Sequence, residues 1–262
     1  MSGFSTDWLA LREPADIAAR ASDVTAFAVD ALHAGAPCRI VDLGCGTGSN
    51  VRYLAPRLPQ AQSWRLVDHA AALLDEARRR LPFDVETHLA DLREPDAALL
   101  AGCHLVTASA LLDLVSDTWL TRFVELCREA RAVVLVALNY DGRMQCTPED
   151  PDDGFVRDAV NQHQRTDKGF GPALGPDAGP RVAARLREAG YEVCSSQSDW
   201  VLGAGQDELQ YQLIAGWAAA ATELYPAAAG RIAAWLNRRQ AYIEAGISCL
   251  VVGHDDVAGR LR

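Results

Sequence analysis

The sequence predicts a doubly wound α/β fold, in which helices cover both faces of a mostly parallel sheet. Short apolar runs typical of buried strands alternate with longer segments of helical periodicity, and this order favours parallel strands joined by helices. The first apolar run ends at a glycine-rich turn, GCGTGSN, at residues 44–50. A length of 262 residues, 49% of them apolar, is enough for one such domain with an elaboration.

Five strands are predicted in the first half of the chain, at 38–43, 64–67, 84–90, 103–108 and 132–138. Helices are predicted at 6–34, at 49–58 before Pro59, at 70–81 and at 117–130, where apolar side chains recur at helical spacing. The run AVVLVAL at 132–138 is apolar throughout, as expected of a strand that is covered on both faces.

The second half begins with a different composition. Residues 141–180 are rich in Gly, Pro, Asp and Asn, and we expect a loop region there with one short helix at 154–164. The remaining predicted elements are a helix at 180–189, a strand at 192–202, amphipathic helices at 207–224 and 227–245, and a strand at 247–252 that leads into a polar tail.

Composition excludes several classes of protein. The chain has 25 basic and 35 acidic residues, a formal net charge of −10, which disfavours binding to nucleic acids. No apolar run approaches the roughly 18–20 residues of a membrane span, and the N-terminus lacks the pattern of a signal peptide. The seven scattered cysteines fit reduced thiols. We therefore expect a cytoplasmic protein without a nucleic-acid or membrane partner.

The glycine-rich turn is the most specific motif of the sequence. Its glycines allow positive φ and let a ligand approach the backbone closely, while the helix that follows offers free N–H groups. The spacing is GxGxG, whereas dinucleotide-binding turns read GxGxxG. Asp42 stands just before the first glycine, where a carboxylate is unfavourable for pyrophosphate but suits a cationic ligand. An NAD-dependent oxidoreductase is thus the weaker alternative.

On these residues the sequence resembles the class I S-adenosylmethionine-dependent methyltransferases, whose first motif is an acid, one residue and GxGxG. The resemblance covers about residues 16–138 and implies a Rossmann-like sheet of seven strands with the last strand antiparallel. It also implies that S-adenosylmethionine is the cofactor and that an acid after the second strand binds the ribose, while an acid after the third strand binds the adenine. The residues so implicated are Arg20, Asp42, Gly44, Cys45, Gly46, Asp68, His69, Asp91, Leu92 and Ser109.

Three of these assignments have structural alternatives. Arg20 is implied to meet the carboxylate of the cofactor, but it also fits a solvated helix face. Asp68 has the alternative of a helix cap, and Asp91 that of an acid in a surface turn.

The methyl acceptor is predicted to be a small polar metabolite, a class that includes anionic metabolites. Relatives that methylate nucleic-acid amino groups usually carry Asp/Asn/Ser-Pro-Pro-aromatic after the fourth strand, whereas this chain has SALLD at 109–113. No acidic group has a clear metal-binding pattern, so no metal is expected.

His163 and Tyr140 are the candidate catalytic residues, with His163 as the base. The candidate substrate-binding residues are Asp113, Asn139, Arg165 and Lys168; Asp113 also fits a helix cap, and the segment 161–177 an ordinary surface loop.

The sequence therefore predicts a methyltransferase that acts on a small molecule. A non-catalytic module that binds S-adenosylmethionine is the alternative outside the enzymes. The paired helices fit a core element or a homodimer face, or else a cap over the acceptor. The predicted division is a single domain of residues 1–262, with N-terminal helices at 1–36, a cofactor-binding core at 37–140, an active-site loop region at 141–180 and a helical insertion at 203–246.

Overall fold

The computed structural model of the chain describes residues 5–32, 37–58, 61–94 and 96–261. The strands are β1 (Cys38–Leu43), β2 (Gln62–Asp68), β3 (Glu86–Leu89), β4 (Leu105–Ser109), β5 (Val133–Thr147), β6 (Tyr191–Gln197), β7 (Trp200–Leu202) and β8 (Cys249–Leu261). The α-helices are α1 (Thr6–Ala19), α2 (Ser22–Asp30), α3 (Ser49–Leu54), α4 (Ala71–Arg80), α5 (Ala97–Leu100), α6 (Asp117–Glu129), α7 (Asp153–Gln164), α8 (Ala178–Glu188), α9 (Asp207–Leu224) and α10 (Ala229–Glu244).

All eight strands belong to one sheet. Its order is β3-β2-β1-β4-β5-β8-β6, with β7 paired to β8 beside this path. The pairs from β3 to β5 are parallel, whereas β8 runs antiparallel to β5, β6 and β7. The predicted α/β class with a largely parallel sheet and an antiparallel last strand is confirmed. The additional strand arises because the run predicted at 192–202 is broken at 198–199 into β6 and β7.

Apolar side chains of the sheet are buried against helices on both faces. On one face Leu120 and Phe123 of α6 and Leu186 of α8 are fully buried. On the other face Val24 of α2 and Leu54 of α3 pack against the central strands. A third apolar cluster packs the second half of β5 and the beginning of β8 against the helices α7, α9 and α10. Because the central strands are covered on both faces, the carboxyl edge of the sheet is where functional groups gather.

The helix predicted at 6–34 is two helices. The chain leaves helical geometry at Arg20, with φ −53° and ψ 130°. The N–H of Ala21 then donates to Asp256 Oδ2 at 3.0 Å instead of to a helical carbonyl. A contact with the last strand, which local periodicity does not reveal, therefore ends α1. The predicted end of this helix at Ala34 and the predicted stop at Pro59 lie outside the described residues.

The segment 141–180 is not a loop throughout, contrary to the prediction. Strand β5 continues to Thr147, where it pairs with Cys249 of β8, after two register shifts. Helix α7 follows, close to the predicted short helix. The polar tail predicted after residue 252 is likewise wrong, since β8 extends to Leu261 and buries His254 and Asp256. Both errors have the same kind of cause, because each polar stretch pairs with a distant part of the chain: the end of β5 pairs with residues 249–252, and the tail pairs with the first half of β5 and with β6.

Helix α9 spans the predicted residues and α10 lies within its predicted range. Within the described part of the chain, every helix is too short or too polar to cross a lipid bilayer.

Candidate active site

The glycine-rich turn connects β1 to α3 and has the backbone that its glycines permit. Gly44, Gly46 and Gly48 have φ of 64°, 53° and 81°, which side chains other than glycine rarely adopt. A Cβ on Gly46 would also lie 3.3 Å from Leu9 Cδ1 of α1. The N–H of Cys45, a buried residue, donates to Val67 O of β2 at 3.1 Å. The turn is thus fixed to the sheet below and covered by α1 above.

Asp42 is fully buried at the end of β1. Its Oδ1 accepts a hydrogen bond from Asn50 Nδ2 at 2.8 Å, and the same amide donates to Thr107 Oγ1 at 3.1 Å. Burial is the main reason that the pKa of Asp42 rises to about 7, although the Asn50 hydrogen bond and the charge of Arg20 act against this rise. Oδ2 of Asp42 is buried and has no partner among the described residues.

Arg20 is also buried, so the alternative of a solvated helix face is wrong. Its Nε donates to Asp256 Oδ2 at 3.1 Å, and its Nη1 donates to Asn50 Oδ1 at 2.7 Å. The guanidinium lies over the ring of Tyr53, 4.3 Å from the centroid. In the described chain, Nη2 alone of its nitrogens lacks a partner. Asn50 therefore joins Arg20 to Asp42.

Together, Asp42 and Arg20 offer a ligand two complementary groups. One is a carboxylate oxygen that suits an ammonium, and the other is a guanidinium nitrogen that suits a carboxylate. Buried polar atoms without partners cost free energy unless a ligand or water satisfies them. The pair therefore fits the charged end of an amino acid.

Asn50 and Asp256 are organising residues that the sequence prediction missed. Asn50 lies two residues beyond the last glycine of the motif, so its place beside a ligand loop was a usable signal. Asp256 gave no such signal, because it lies more than 200 residues from Arg20 in the chain. It accepts from Arg20, from the N–H of Ala21 and, through Oδ1 at 2.8 Å, from the N–H of Leu138.

Asp68 ends β2 and is buried beneath the glycine turn. Its Oδ2 accepts the N–H of Gly46 at 2.9 Å, and its Oδ1 accepts the N–H of Ala70 at 3.0 Å, directly before α4. A carboxylate has about four acceptor positions, so both oxygens retain capacity for a further donor. His69 is exposed, with Nδ1 3.3 Å from Asp68 Oδ1. The geometry thus shows Asp68 supporting the turn, and its contact with a ribose stays a prediction.

Asp91 follows β3 in an exposed turn. Its carboxylate accepts from the N–H of Arg93 at 3.0 Å and from Arg93 Nε at 2.7 Å. The hydrogen bonds from Arg93 are the main cause of its low pKa, about 2. Leu92 is buried, and its carbonyl accepts the indole N–H of Trp119 at 2.6 Å. The turn is thus anchored through Leu92, while the adenine contacts predicted for both residues stay untested.

Ser109 and Asp113 flank the turn after β4. Ser109 is half-buried at the carboxyl edge of the strand. Asp113 is buried in a 3-10 turn, and its Oδ1 lacks a partner within the described residues. Burial raises its pKa to about 6, and the positive charges of Arg12 and Lys168 moderate that rise. The positive charges of Arg12 and Lys168 thus act on Asp113, which is predicted to bind the acceptor.

Asn139 and Tyr140 are both buried at an irregular point of β5. Asn139 Nδ2 donates to Asp255 O at 2.8 Å, while its Oδ1 has no partner in the described segments. The Tyr140 hydroxyl donates to Asn161 Oδ1 at 2.7 Å, and burial raises its pKa above the ordinary value. Tyr140 is therefore held as a neutral hydrogen-bond donor, which does not favour the predicted catalytic role.

Of the three residues predicted on the segment 161–177, the structure brings His163 and Lys168 together and leaves Arg165 apart. His163 Nε2 lies 3.2 Å from Glu223 of α9, and its Nδ1 lies 3.2 Å from Lys168 Nζ. Lys168 is half-buried, and burial lowers its pKa. Arg165 is exposed and paired with Asp177 at 3.0 Å, which places it on the surface. Of this group, only Lys168 affects the pKa of Asp113.

Glu13 connects α1 to the glycine turn. Its carboxylate accepts from Arg52 Nε at 2.5 Å and Nη2 at 2.8 Å, and from Arg80 Nη2 at 2.7 Å. Both arginines also reach Thr47 of the turn, Arg52 Nη1 to its carbonyl at 2.7 Å and Arg80 Nη1 to its hydroxyl at 3.3 Å. We name this group of four residues the Glu13 clasp; the sequence prediction did not identify it.

Two surface cavities lie at the opposite, amino edge of the sheet. One, of about 250 Å³, is lined by the beginnings of β1 and β2, and the other, of about 690 Å³, by the end of α4 and the start of β2. Neither is lined by residues 44–48 of the glycine turn, although Arg52 of the Glu13 clasp borders the larger one.

Comparison with known proteins identifies a methyltransferase domain. Residues 40–133 match the family model described as a methyltransferase domain. Trans-aconitate 2-methyltransferase of Azoarcus sp. (strain BH72) is 39% identical over 106 residues, which cover 39% of this chain and 40% of that protein. The protein of the same name from Methylobacterium nodulans is 51% identical over 47 residues, 18% of each chain. A probable S-adenosyl-L-methionine-dependent methyltransferase TehB of Haemophilus influenzae is 34% identical over 64 residues, 24% of this chain and 22% of that protein.

Solved structures agree with the fold. The cyclopropane synthase MmaA2 from Mycobacterium tuberculosis has a TM-score of 0.51 at 11% identity, over 98% of this chain and 95% of that one. The YcgJ protein from Bacillus subtilis has a TM-score of 0.50 at 13% identity, over 92% and 100%. The matches to the curated relatives above span between 18% and 40% of those proteins. Residues 40–133 of this chain thus match a methyltransferase domain, and the sheet has the fold of these solved structures.

Proposed function

We propose that this protein transfers the methyl group of S-adenosylmethionine to a carboxylate of a small, multiply charged organic acid. The single observation that carries the cofactor part is the buried pair formed by Asp42 Oδ2 and Arg20 Nη2, both without partners in the described residues. The methionine end of S-adenosylmethionine carries an ammonium and a carboxylate, which match these two atoms. The glycines at 44, 46 and 48 follow Asp42 directly, and residues without side chains let a ligand approach the backbone closely.

The charges around Asp113 support an anionic acceptor. Arg12 and Lys168 both act against the rise in the pKa of this buried acid, so two positive charges influence the residue that we assign to the acceptor. Curated relatives named trans-aconitate 2-methyltransferase point to the same chemistry, because trans-aconitate is a tricarboxylate. With a formal net charge of −10 on the chain, a local pair of cations is a specific feature of this region.

A carboxylate acceptor also explains why the candidate bases are occupied elsewhere. The sulfonium of the cofactor supplies an electrophilic methyl group, and transfer requires an aligned nucleophile at about 3 Å. An ionised carboxylate needs no proton removed before it attacks. The engagement of Tyr140 with Asn161 and of His163 with Glu223 is therefore compatible with activity. The task of this chain's residues is to bind, orient and exclude water.

Two measurements test this function. Calorimetry is expected to give tight binding of S-adenosylhomocysteine and none of NAD; the reverse result would favour an oxidoreductase. Reactions that contain S-adenosylmethionine and either trans-aconitate, citrate or a neutral alcohol are analysed by mass spectrometry. A methylated product, a methyl ester, is expected only when the substrate is a polycarboxylate. Methylation of the alcohol and of no acid contradicts the proposed acceptor, while binding of the cofactor with no transfer to any compound of a broad panel favours a non-catalytic module.

A further inference from the structure

Arg12 is a buried cation of α1 that the sequence prediction left unassigned. Its Nε and Nη2 lie 3.0–3.2 Å from the carboxylate of Asp16, one helical turn further on. Its guanidinium lies over the ring of Trp200, 4.9 Å from the centroid, and its side chain is 12% exposed. These contacts fix the plane of the guanidinium. They leave Nη1 without a hydrogen bond to any described residue.

Beside Arg12 lie two further buried groups with unused polar atoms. His254 Nδ1 and Trp200 Nε1 have no hydrogen-bond partner of ordinary geometry within the described chain, and their residues are 6% and 3% exposed. The two rings lie 5.2 Å apart, and His254 stands opposite Tyr140 in the pairing of β5 with β8. The Trp200 N–H is close enough to Asp16 to lower the pKa of that carboxyl, although burial raises it overall.

We propose that Arg12 binds a carboxylate of the acceptor, with its Nη1 directed at the anion and with Trp200 and His254 forming the floor of this subsite. This inference rests on the proposed function and adds to it a residue that determines the class of acceptor. Asp16 and Trp200 are positioning residues for Arg12, because they hold the planar guanidinium in one orientation.

Charge and protonation agree with this assignment. Burial, and next the positive charge of Arg12, lower the pKa of His254 to about 3, so its ring is neutral near pH 7. A neutral imidazole still donates one N–H, and it adds no second charge beside Arg12. Arg12 also acts on Asp113 together with Lys168. The positive charges of Arg12 and Lys168 suit an acceptor with at least two anionic groups, of which one is bound while another is methylated.

The test compares four variants with the wild type. Arg12→Gln removes the charge but leaves Asp16 without its partner, so the double variant Arg12→Gln, Asp16→Asn removes both members of the pair. Arg12→Lys keeps the charge and the pairing but loses the planar fork. Arg122→Gln changes an exposed arginine of α6 and serves as the matched control. For each protein, KM and kcat are measured with trans-aconitate, and the dissociation constant of S-adenosylhomocysteine by calorimetry.

Loss of a charge-assisted contact is expected to raise KM for trans-aconitate about 10- to 100-fold in Arg12→Gln and in the double variant. Arg12→Lys is expected to show a smaller rise and the control none, while S-adenosylhomocysteine binding stays near the wild-type value throughout. A wild-type KM in the double variant overturns the inference, since Arg12 would then serve only to pair Asp16, and the proposed function would stand. A wild type that binds S-adenosylhomocysteine but methylates no polycarboxylate overturns the proposed acceptor class and this inference with it.

Discussion

Asp42 and Arg20 each leave one buried atom, Oδ2 and Nη2, free of partners among the described residues and so available to a ligand. The rest of each side chain is engaged inside the protein, by Asn50 for Asp42 and by Asn50 and Asp256 for Arg20. Both groups are therefore held in place before a ligand arrives, which lowers the entropy lost on binding. The cost is an acid that is buried without a full set of partners, and the raised pKa of Asp42 reflects that cost.

Asp42→Asn is expected to separate ligand binding from stability. The amide keeps a partner for Asn50 but presents no charge to the cofactor's ammonium, so we expect S-adenosylhomocysteine affinity to fall about 10- to 100-fold. Asp75→Asn, on the exposed surface of α4, is the matched control. Calorimetric titration of both variants measures the change, and equal affinities in the two variants contradict the assignment of Asp42.

The same variant, Asp42→Asn, is expected to change how the free energy of unfolding of the ligand-free protein depends on pH. The pKa of Asp42 is about 7 in the folded chain against 3.8 for the unfolded reference, so between these values the folded state binds more protons. Its contribution therefore lowers the free energy of unfolding as pH rises from about 4 to about 7. Urea unfolding at the two ends of this range is expected to show a smaller loss of stability in Asp42→Asn than in the wild type.

Asp113 is expected to make acceptor binding depend on pH. Its pKa is about 6, so it becomes negatively charged as pH rises through that value and then repels an anionic acceptor, although Arg12 and Lys168 stay positive. We expect KM for trans-aconitate to rise between about pH 5.5 and about 7.5, and the rise to disappear in Asp113→Asn. Steady-state kinetics across this range are the test, and parallel profiles would exclude Asp113 as the cause.

Among the elements, α1 covers the glycine turn and is attached to it by the Glu13 clasp. Burial alone would raise the pKa of Glu13, but Arg52 and Arg80 reverse this effect and lower it overall. The clasp therefore holds an ionised carboxylate between two helices and the turn. Since Arg12 belongs to α1 and Arg20 to its end, the clasp also fixes where these two candidate anion-binding residues lie relative to the glycine turn.

Glu13→Gln is expected to loosen α1 over the turn. Loss of the charge weakens contacts with two arginines, and we expect faster amide hydrogen exchange across Thr6–Ala19 together with an S-adenosylhomocysteine affinity about 3- to 10-fold weaker. Asp7→Asn, an exposed acid in the first turn of the same helix, is the control. Unchanged exchange in Glu13→Gln would mean that apolar packing alone holds the helix.

Elements that can be recognised from their own residues alone were predictable from the sequence. Strand β1 and helix α9 have their predicted bounds, because an apolar run before glycine and a long apolar stripe need no other part of the chain to be recognised. The polar half of β8 was not predictable in this way. His254 and Asp256 are buried there because they meet groups of β5 and α1, and a sequence window around them shows only polar residues. The site followed the same rule: the motif residues were found, whereas Arg12, Glu13 and Asp256 were not.

For the whole molecule, Asp256 joins the two ends of the chain. It links the junction of α1 and α2 to the irregular point of β5 and to the last strand, through three donors from Arg20, Ala21 and Leu138. Both side chains of its ion pair with Arg20 are almost fully buried. Removing one member of such a pair leaves an uncompensated charge in the interior, which is more costly than losing an exposed pair.

Asp256→Asn is therefore expected to lower the free energy of unfolding by about 3–5 kcal/mol. The neighbouring Asp255→Asn is the control, because burial and the charge of Asp141 raise the pKa of Asp255 to about 6, so the fold disfavours the charge of Asp255, whereas Arg20 compensates that of Asp256. Urea unfolding at neutral pH measures both variants, and an equal loss in the two would contradict the special place of Asp256.

This link has a consequence for biosynthesis. A nascent chain that has not yet exposed β8 to solution contains the whole glycine motif and all of α1, yet Arg20 then lacks the carboxylate that accepts its Nε. Retention of the cofactor should therefore begin only when the last strand leaves the ribosome. Chains stalled before residue 249 are expected to release S-adenosylhomocysteine that a chain including β8 keeps, which makes ligand capture a check that β8 has been synthesised.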